Sequence, residues 1–137
     1  KAGAVSVFGV ELLEPHLAMA RKLCKGYPQV KFQRAHLDDF VKAETAAGEH
    51  WQYDIVLALG IIHKLHDPSI PLRFAARSAR SLVCFRAPAK DTNGVIFSKH
   101  TKMPCDVPAI MKQEGFINEK KLVGVRGEAV QYWRRST

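Results

Sequence analysis

No stretch of this 137-residue chain is apolar for the roughly 20 residues a helix needs to cross a bilayer, so no helical membrane span is expected. The opening KAGAVSVFGVE has neither the long apolar core nor the cleavage site of a secretory leader. Cysteine is scarce: Cys24, Cys84 and Cys105 are odd in number, widely spaced and form no CxxC pair. That pattern argues against a disulfide framework or a zinc site and for a reducing cytoplasm. A GxSxG turn for a nucleophilic serine is also missing, and no cysteine sits in a recognisable catalytic setting. No repeat, low-complexity tract or linker interrupts the chain, so residues 1–137 are expected to form one domain. Residue 1 is Lys rather than Met, and a fragment or a processed chain is the expectation.

What is present suits a globular protein: 47% of the residues are hydrophobic and 25% charged, enough for a real core. Twenty-one Lys and Arg against 13 Asp and Glu leave a net charge of +8. Much of the excess lies late, at Lys99, Lys102, Lys112, Lys120, Lys121, Arg126, Arg134 and Arg135. The surplus permits an anionic partner such as nucleic acid, but no compact basic run or aromatic interleaving sets it apart from a solvated basic face. Trp51 and Trp133 read as packing residues, Trp133 also being open to a stacking role.

The most informative stretch is YDIVLALGIIHKLHDP, Tyr53 to Pro68. Its first half, Tyr53 to Leu59, is an apolar run of the kind seen in a parallel strand buried on both faces. It stops at Gly60, and His63, Lys64, His66 and Asp67 follow where such a strand leaves its sheet, the edge at which ligands sit in open α/β folds.

Around it the chain alternates. Ala4 to Val10 reads as a buried strand ending in the acidic Glu11. The next segment has Pro15 in a first helical turn, Leu13, Leu17, Ala20 and Cys24 at helical spacing, and Gly26 as a stop. Val30 to Ala35 reads as a second strand, with Asp38 or Asp39 capping a helix that runs to about Ala47. Helical spacing over Pro71 to Arg80 precedes a buried strand, Ser81 to Phe85. APAKDTNG is a loop by composition, Val95 to Phe97 a short strand or turn, and Val107 to Glu114 a helix ended by Gly115. Phe116 to Val125 and Glu128 to Arg134, linked by Arg126 and Gly127, read as an antiparallel hairpin.

In this order the elements resemble the class I S-adenosylmethionine-dependent methyltransferases over nearly the whole chain. VFGVELLEPHLAMA is similar to that family's second strand with its acidic tip, FQRAHLDDF to the end of the third, YDIVLALGIIHKLHDP to the fourth with its trailing segment, and GVRGEAVQYWRR to the last two strands. The resemblance implies a Rossmann-like, mostly parallel sheet with helices on both faces and a C-terminal antiparallel hairpin. It also implies S-adenosylmethionine as cofactor and transfer of a methyl group to an O or N acceptor, small or macromolecular. The family's first strand and glycine-rich loop have no counterpart in these residues. That strand lies mid-sheet in the family, so upstream residues are expected to supply it, because two open buried edges invite aggregation.

The resemblance assigns roles by position. Glu11 would accept hydrogen bonds from both ribose hydroxyls, and Leu12 would flank the adenine; a solvated Glu opening a helix is the plainer alternative. His36, Leu37 and Asp38 would meet the adenine edge through a backbone N–H and an acidic side chain, with helix initiation by Asp38 and Asp39 as the competing explanation. Gly60 would let the main chain approach the methionine portion, or merely end its strand. His63 would take the proton released by the acceptor, although aligning two reactants is most of the task and a lone loop histidine is commonly structural. His63, His66 and Asp67 match no standard metal-ligand spacing. A non-catalytic methyltransferase-like module binding an anionic partner, RNA or an acidic glycan, is the alternative function. An NAD enzyme is disfavoured by the C-terminal hairpin.

Overall fold

The computed structural model describes residues 3–48, 52–88, 94–123 and 128–137. The chain divides into two compact units, Lys1–Ala43 and Glu44–Thr137.

The first unit is a strand–helix–strand crossover. β1 (Val7–Glu11) leads through α1 (Glu14–Leu23) to β2 (Val30–Arg34), and α2 (Leu37–Ala47) begins in this unit, its last residues from Glu44 being counted with the second. The strands run parallel, Val7 opposite Val30 and Glu11 opposite Arg34, as a crossover of this length allows. Pro15 stands in the first turn of α1, where its missing N–H costs no intrahelical bond. Leu17 is the fully buried anchor of that helix, and the Cys24 N–H closes the last turn on the Ala20 carbonyl at 3.0 Å. β1 is shorter and less buried than the sequence suggests: Val5 is 93% exposed and Val7 is also exposed. A side chain at Gly9 would put its Cβ 2.9 Å from the Phe32 ring, so the close approach of these two strands needs glycine there.

The second unit holds β3 (Tyr53–Leu59), a 3-10 turn over Ile62–Lys64, α3 (Ser69–Ser78), β4 (Ala79–Pro88), β5 (Val95–Phe97), β6 (Pro104–Asp106), α4 (Val107–Gln113), β7 (Phe116–Val123) and β8 (Glu128–Arg135). Four strands form one sheet in the order β3-β4-β8-β7, while β5 and β6 pair separately. β3 and β4 are parallel; β8 joins β4 and β7 antiparallel, which is the expected C-terminal hairpin. Its Arg126–Gly127 link, like Trp51, lies outside the described residues.

The core of this unit follows from strand alternation. Val83, Phe85 and Ala87 of β4 and Trp133 of β8 are buried together with Leu72 and Ala76 of α3 and Met111 of α4. The Trp133 indole N–H donates to Gln131 Oε1 at 3.1 Å, so this ring is a packing residue. β3 departs from the expectation of burial on both faces. Ala58 is buried and Val56 packs on the core, but Ile55, Leu57 and Leu59 are 54%, 63% and 53% exposed. Side chains two apart share a face, so the apolar run is covered on one side only.

α3 starts two residues earlier than its spacing suggests, at Ser69, whose N–H and hydroxyl both donate to Asp67 Oδ1, at 2.9 and 2.5 Å. Ala79, read as helical, instead opens β4 opposite Tyr53. Asp106 caps α4 by accepting the Ala109 N–H at 2.9 Å, and Gly115 ends that segment at φ +83°. The three cysteines are unpaired: Cys24 is half-buried, Cys84 and Cys105 are buried. Burial raises the Cys84 thiol, and burial with Asp67 and Asp106 nearby pushes Cys105 up to about 12.

Candidate active site

In the first unit, the carboxyl ends of the paired strands bring Glu11 and Leu12 beside the segment that carries His36, Leu37 and Asp38. The link is direct, for the Ala35 N–H donates to the Glu11 carbonyl at 3.2 Å. Glu11 is the last residue of β1, and its Oε1 accepts the Leu13 N–H at 2.9 Å while Oε2 lies 3.7 Å from His16 Nδ1. The Leu13 N–H is the main reason its carboxyl titrates below the ordinary range, with the Leu12 N–H and His16 adding to it and partial burial opposing. Glu11 is therefore an ionised, oriented acceptor at neutral pH. Leu12 is 45% exposed, an apolar surface beside that carboxylate.

His36 has a duty the sequence did not disclose. α2 begins at Leu37, ahead of either aspartate, and His36 Nδ1 accepts the Asp38 N–H at 3.3 Å while its carbonyl accepts the Phe40 N–H at 2.9 Å. The imidazole does the work of a helix cap, and Asp38 and Asp39 sit in the first turn instead of before it. Nδ1 also lies 4.0 Å from the Asp38 carboxylate.

In the second unit the focus is the turn after β3. Gly60 adopts φ +76°, a left-handed conformation costly for any residue with a side chain, and its N–H donates to the Arg86 carbonyl at 3.0 Å. A Cβ on Gly60 would meet Arg86 Nη2 at 3.1 Å, which puts the guanidinium directly over this turn. Three residues on, His63 is only 7% exposed, and its buried Nδ1 has no hydrogen-bond partner among the described residues. Burial foremost, then the positive charges of Lys99, Lys64 and Arg86, hold its pKa below 6.5. The imidazole is neutral at pH 7 and free to accept a proton.

The segment after β5 is strapped to this turn. The Lys99 N–H donates to the His63 carbonyl at 2.9 Å, Ser98 Oγ to the Leu65 carbonyl at 2.6 Å, and Thr101 Oγ1 to the His66 carbonyl at 2.6 Å. His66 and His100 stack with ring centroids 5.4 Å apart. Among the described residues no group of three or more His, Cys, Asp or Glu could hold a metal ion.

Sequence reasoning overlooked Arg86 and Lys99. Arg86 carried a readable sign, being the first charged residue after the apolar run SLVCF. Its neighbour Leu59 is 27 residues earlier, however, and only strand register joins them. Lys99 belongs to the late basic surplus, but nothing in the sequence ties it to His63.

No family model matches this chain, and no curated protein sequence does. Solved structures do match. Magnesium protoporphyrin IX methyltransferase (ChlM) from Synechocystis, solved with S-adenosylhomocysteine bound, superposes with a TM-score of 0.68 at 16% identity, over 96% of this chain and 64% of that one. An S-adenosylmethionine-dependent methyltransferase from Mesorhizobium loti gives 0.67 at 13% identity, over 97% and 82%. The [4+2]-cyclase SpnF gives 0.68 at 10%, over 98% and 67%. The chain has the class I S-adenosylmethionine-dependent methyltransferase fold, an α/β Rossmann-like architecture, and spans just under two thirds of the ChlM chain. The cyclase among these structures shows that the fold alone does not fix the reaction.

Proposed function

We propose that this protein is a methyltransferase domain that uses S-adenosylmethionine to methylate an oxygen or nitrogen of a small or macromolecular acceptor, both units being parts of that one domain. The observation that carries this reading is Glu11, an ionised carboxylate fixed by the Leu13 N–H at the carboxyl end of a parallel strand. It provides the paired-oxygen acceptor that two vicinal ribose hydroxyls require. The residues fit the cofactor on chemical grounds. Leu12 offers an apolar flank for adenine. The Leu37 N–H, at the start of α2, has no acceptor inside its helix, and Asp38 follows with its carboxylate. His36 is committed to the helix cap, so the adenine edge falls to Leu37 and Asp38. In the second unit, taken by itself, Gly60 offers main chain without a side chain, the surface that a methionine portion would need.

S-adenosylmethionine supplies a methyl group activated on a sulfonium sulfur. As the acceptor's O or N forms its bond to that carbon and the S–C bond breaks, the acceptor's proton passes to the neutral His63 imidazole. Packing holds this ring in place, as no carboxylate among the described residues bonds its Nδ1. The three unpaired cysteines support a cytoplasmic setting.

Calorimetric titration with S-adenosylmethionine, S-adenosylhomocysteine and NAD tests the proposal. Micromolar binding of the first two and none of NAD is expected. Glu11→Ala removes charge-assisted hydrogen bonds and is expected to weaken that binding by about tenfold or more. Absence of binding by either sulfur compound would favour a non-catalytic module for an anionic partner.

A further inference from the structure

The arginines of the second unit differ in how their charge is met. Arg73 and Arg77 meet the Glu114 carboxylate at 3.3 and 3.0 Å, and Arg134 meets Glu119 at 2.6 Å. Arg135 donates to the carbonyls of Ala76, Ala79 and Glu114. Arg80 and Arg86 are both exposed and have neither an ion pair nor a side-chain hydrogen bond among the described residues, but only Arg86 has its guanidinium over the Gly60 turn. With Lys64 and Lys99 it acts electrostatically on His63, and no carboxylate is among the groups that do so. The main chain of exposed Lys99 is held here by its N–H bond to the His63 carbonyl. His63 itself buries its Nδ1 without a hydrogen-bond partner among the described residues. Three exposed cations thus act on an imidazole with one unpartnered nitrogen, and no carboxylate among the described residues is among the charges acting on it.

We infer that this turn is a carboxylate subsite: Arg86 grips the carboxylate of an organic-acid acceptor through its guanidinium fork, Lys99 adds charge, and the acceptor's nucleophilic atom is presented to His63. A planar carboxylate matches the fork with two parallel hydrogen bonds, which a point charge does not require. That the acid is the methyl acceptor rests on the methyltransferase reading; that it is a carboxylate rests on the cluster alone. The amino-acid end of S-adenosylmethionine also carries a carboxylate, so the test separates the two sources.

The experiment follows the His63 imidazole and Arg86 side-chain N–H resonances of the chain by NMR while benzoate is added, with and without saturating S-adenosylhomocysteine, and inorganic phosphate serves as the comparison anion. Saturable shifts with benzoate are expected in both conditions. Arg86→Gln should raise the dissociation constant by about tenfold or more. An unchanged constant in that variant, or no saturable shift, overturns the subsite. Competitive displacement of benzoate by S-adenosylhomocysteine overturns the acceptor assignment, and tighter binding of phosphate than of benzoate overturns the carboxylate. The two readings fail separately. S-adenosylhomocysteine binding without benzoate binding removes the subsite and leaves the methyltransferase. Arg86-dependent benzoate binding without S-adenosylhomocysteine binding leaves an acid-binding site and removes the methyl acceptor.

Discussion

Two clusters of cations in the second unit invite comparison, one gathered around Glu114 and one around His63. At the first, Arg73 and Arg77 share a carboxylate whose side chain is 13% exposed, and Arg135 spends its donors on three backbone carbonyls while stacking over Phe116 at 4.4 Å. At the second, Lys64, Arg86 and Lys99 act on a buried imidazole with no acidic group among them. The first holds α3, α4 and the final strand together. The cations of the second are exposed and pair with no carboxylate among the described residues. A basic composition is thus an incomplete guide to an anionic partner: Arg134 and Arg135, part of the basic C-terminal third, are already taken by the fold.

The comparison can be broken or sharpened by substitution. Arg135→Ala should cost most, about 3 kcal/mol or more, because several charge-assisted hydrogen bonds disappear and half-buried carbonyls lose their donor; urea unfolding measures it. Glu114→Gln should cost about 1 kcal/mol, since Arg77 is 62% exposed and its pairing is screened. The hydrogen bond from Arg77 chiefly holds the Glu114 carboxyl below its ordinary 4.5. As pH falls the unfolded chain takes this proton first, so the contribution present above 4.5 is lost on descent through the lower folded value, and the Gln variant should lose that slope.

His63→Leu should act in the opposite sense. Below 6.5 the unfolded chain protonates this histidine before the folded chain does, so wild-type stability falls with pH from 6.5 down to the lower folded value. The Leu variant should lack this decline, so its stability relative to wild type should rise as pH falls below 6.5. Arg86→Gln should change stability least, by under about 0.5 kcal/mol. A loss comparable to that of Arg135→Ala would mean that Arg86 is a structural residue and would erase the contrast.

Much of the architecture was legible because it is written in local pattern. Tyr53–Leu59 begins and ends as its apolar run does, and the antiparallel pairing of the last two strands follows from their alternation. What escaped notice depends on contacts distant in sequence. Ala79 fits a helical spacing but pairs with Tyr53, and register overrides spacing. Pro104–Asp106 is three residues without a period, paired only because Val95–Phe97 lies beside it. The one-sided cover of β3 was hidden because an apolar run says which residues avoid water but not which face a helix will meet. The candidate site divides the same way. Glu11, Gly60 and His63 stand at strand ends and were readable, whereas the cap formed by His36 and the cations around His63 come from geometry.

The cysteines carry a practical consequence. Alkylating reagents attack the thiolate, which burial keeps scarce at Cys84 and scarcer at Cys105, while half-buried Cys24 lies on the first unit. A fluorophore added briefly under native conditions should settle on Cys24 and report on that unit alone. The other two thiols would stay silent until their unit opens, and their labelling would serve as a clock for its unfolding.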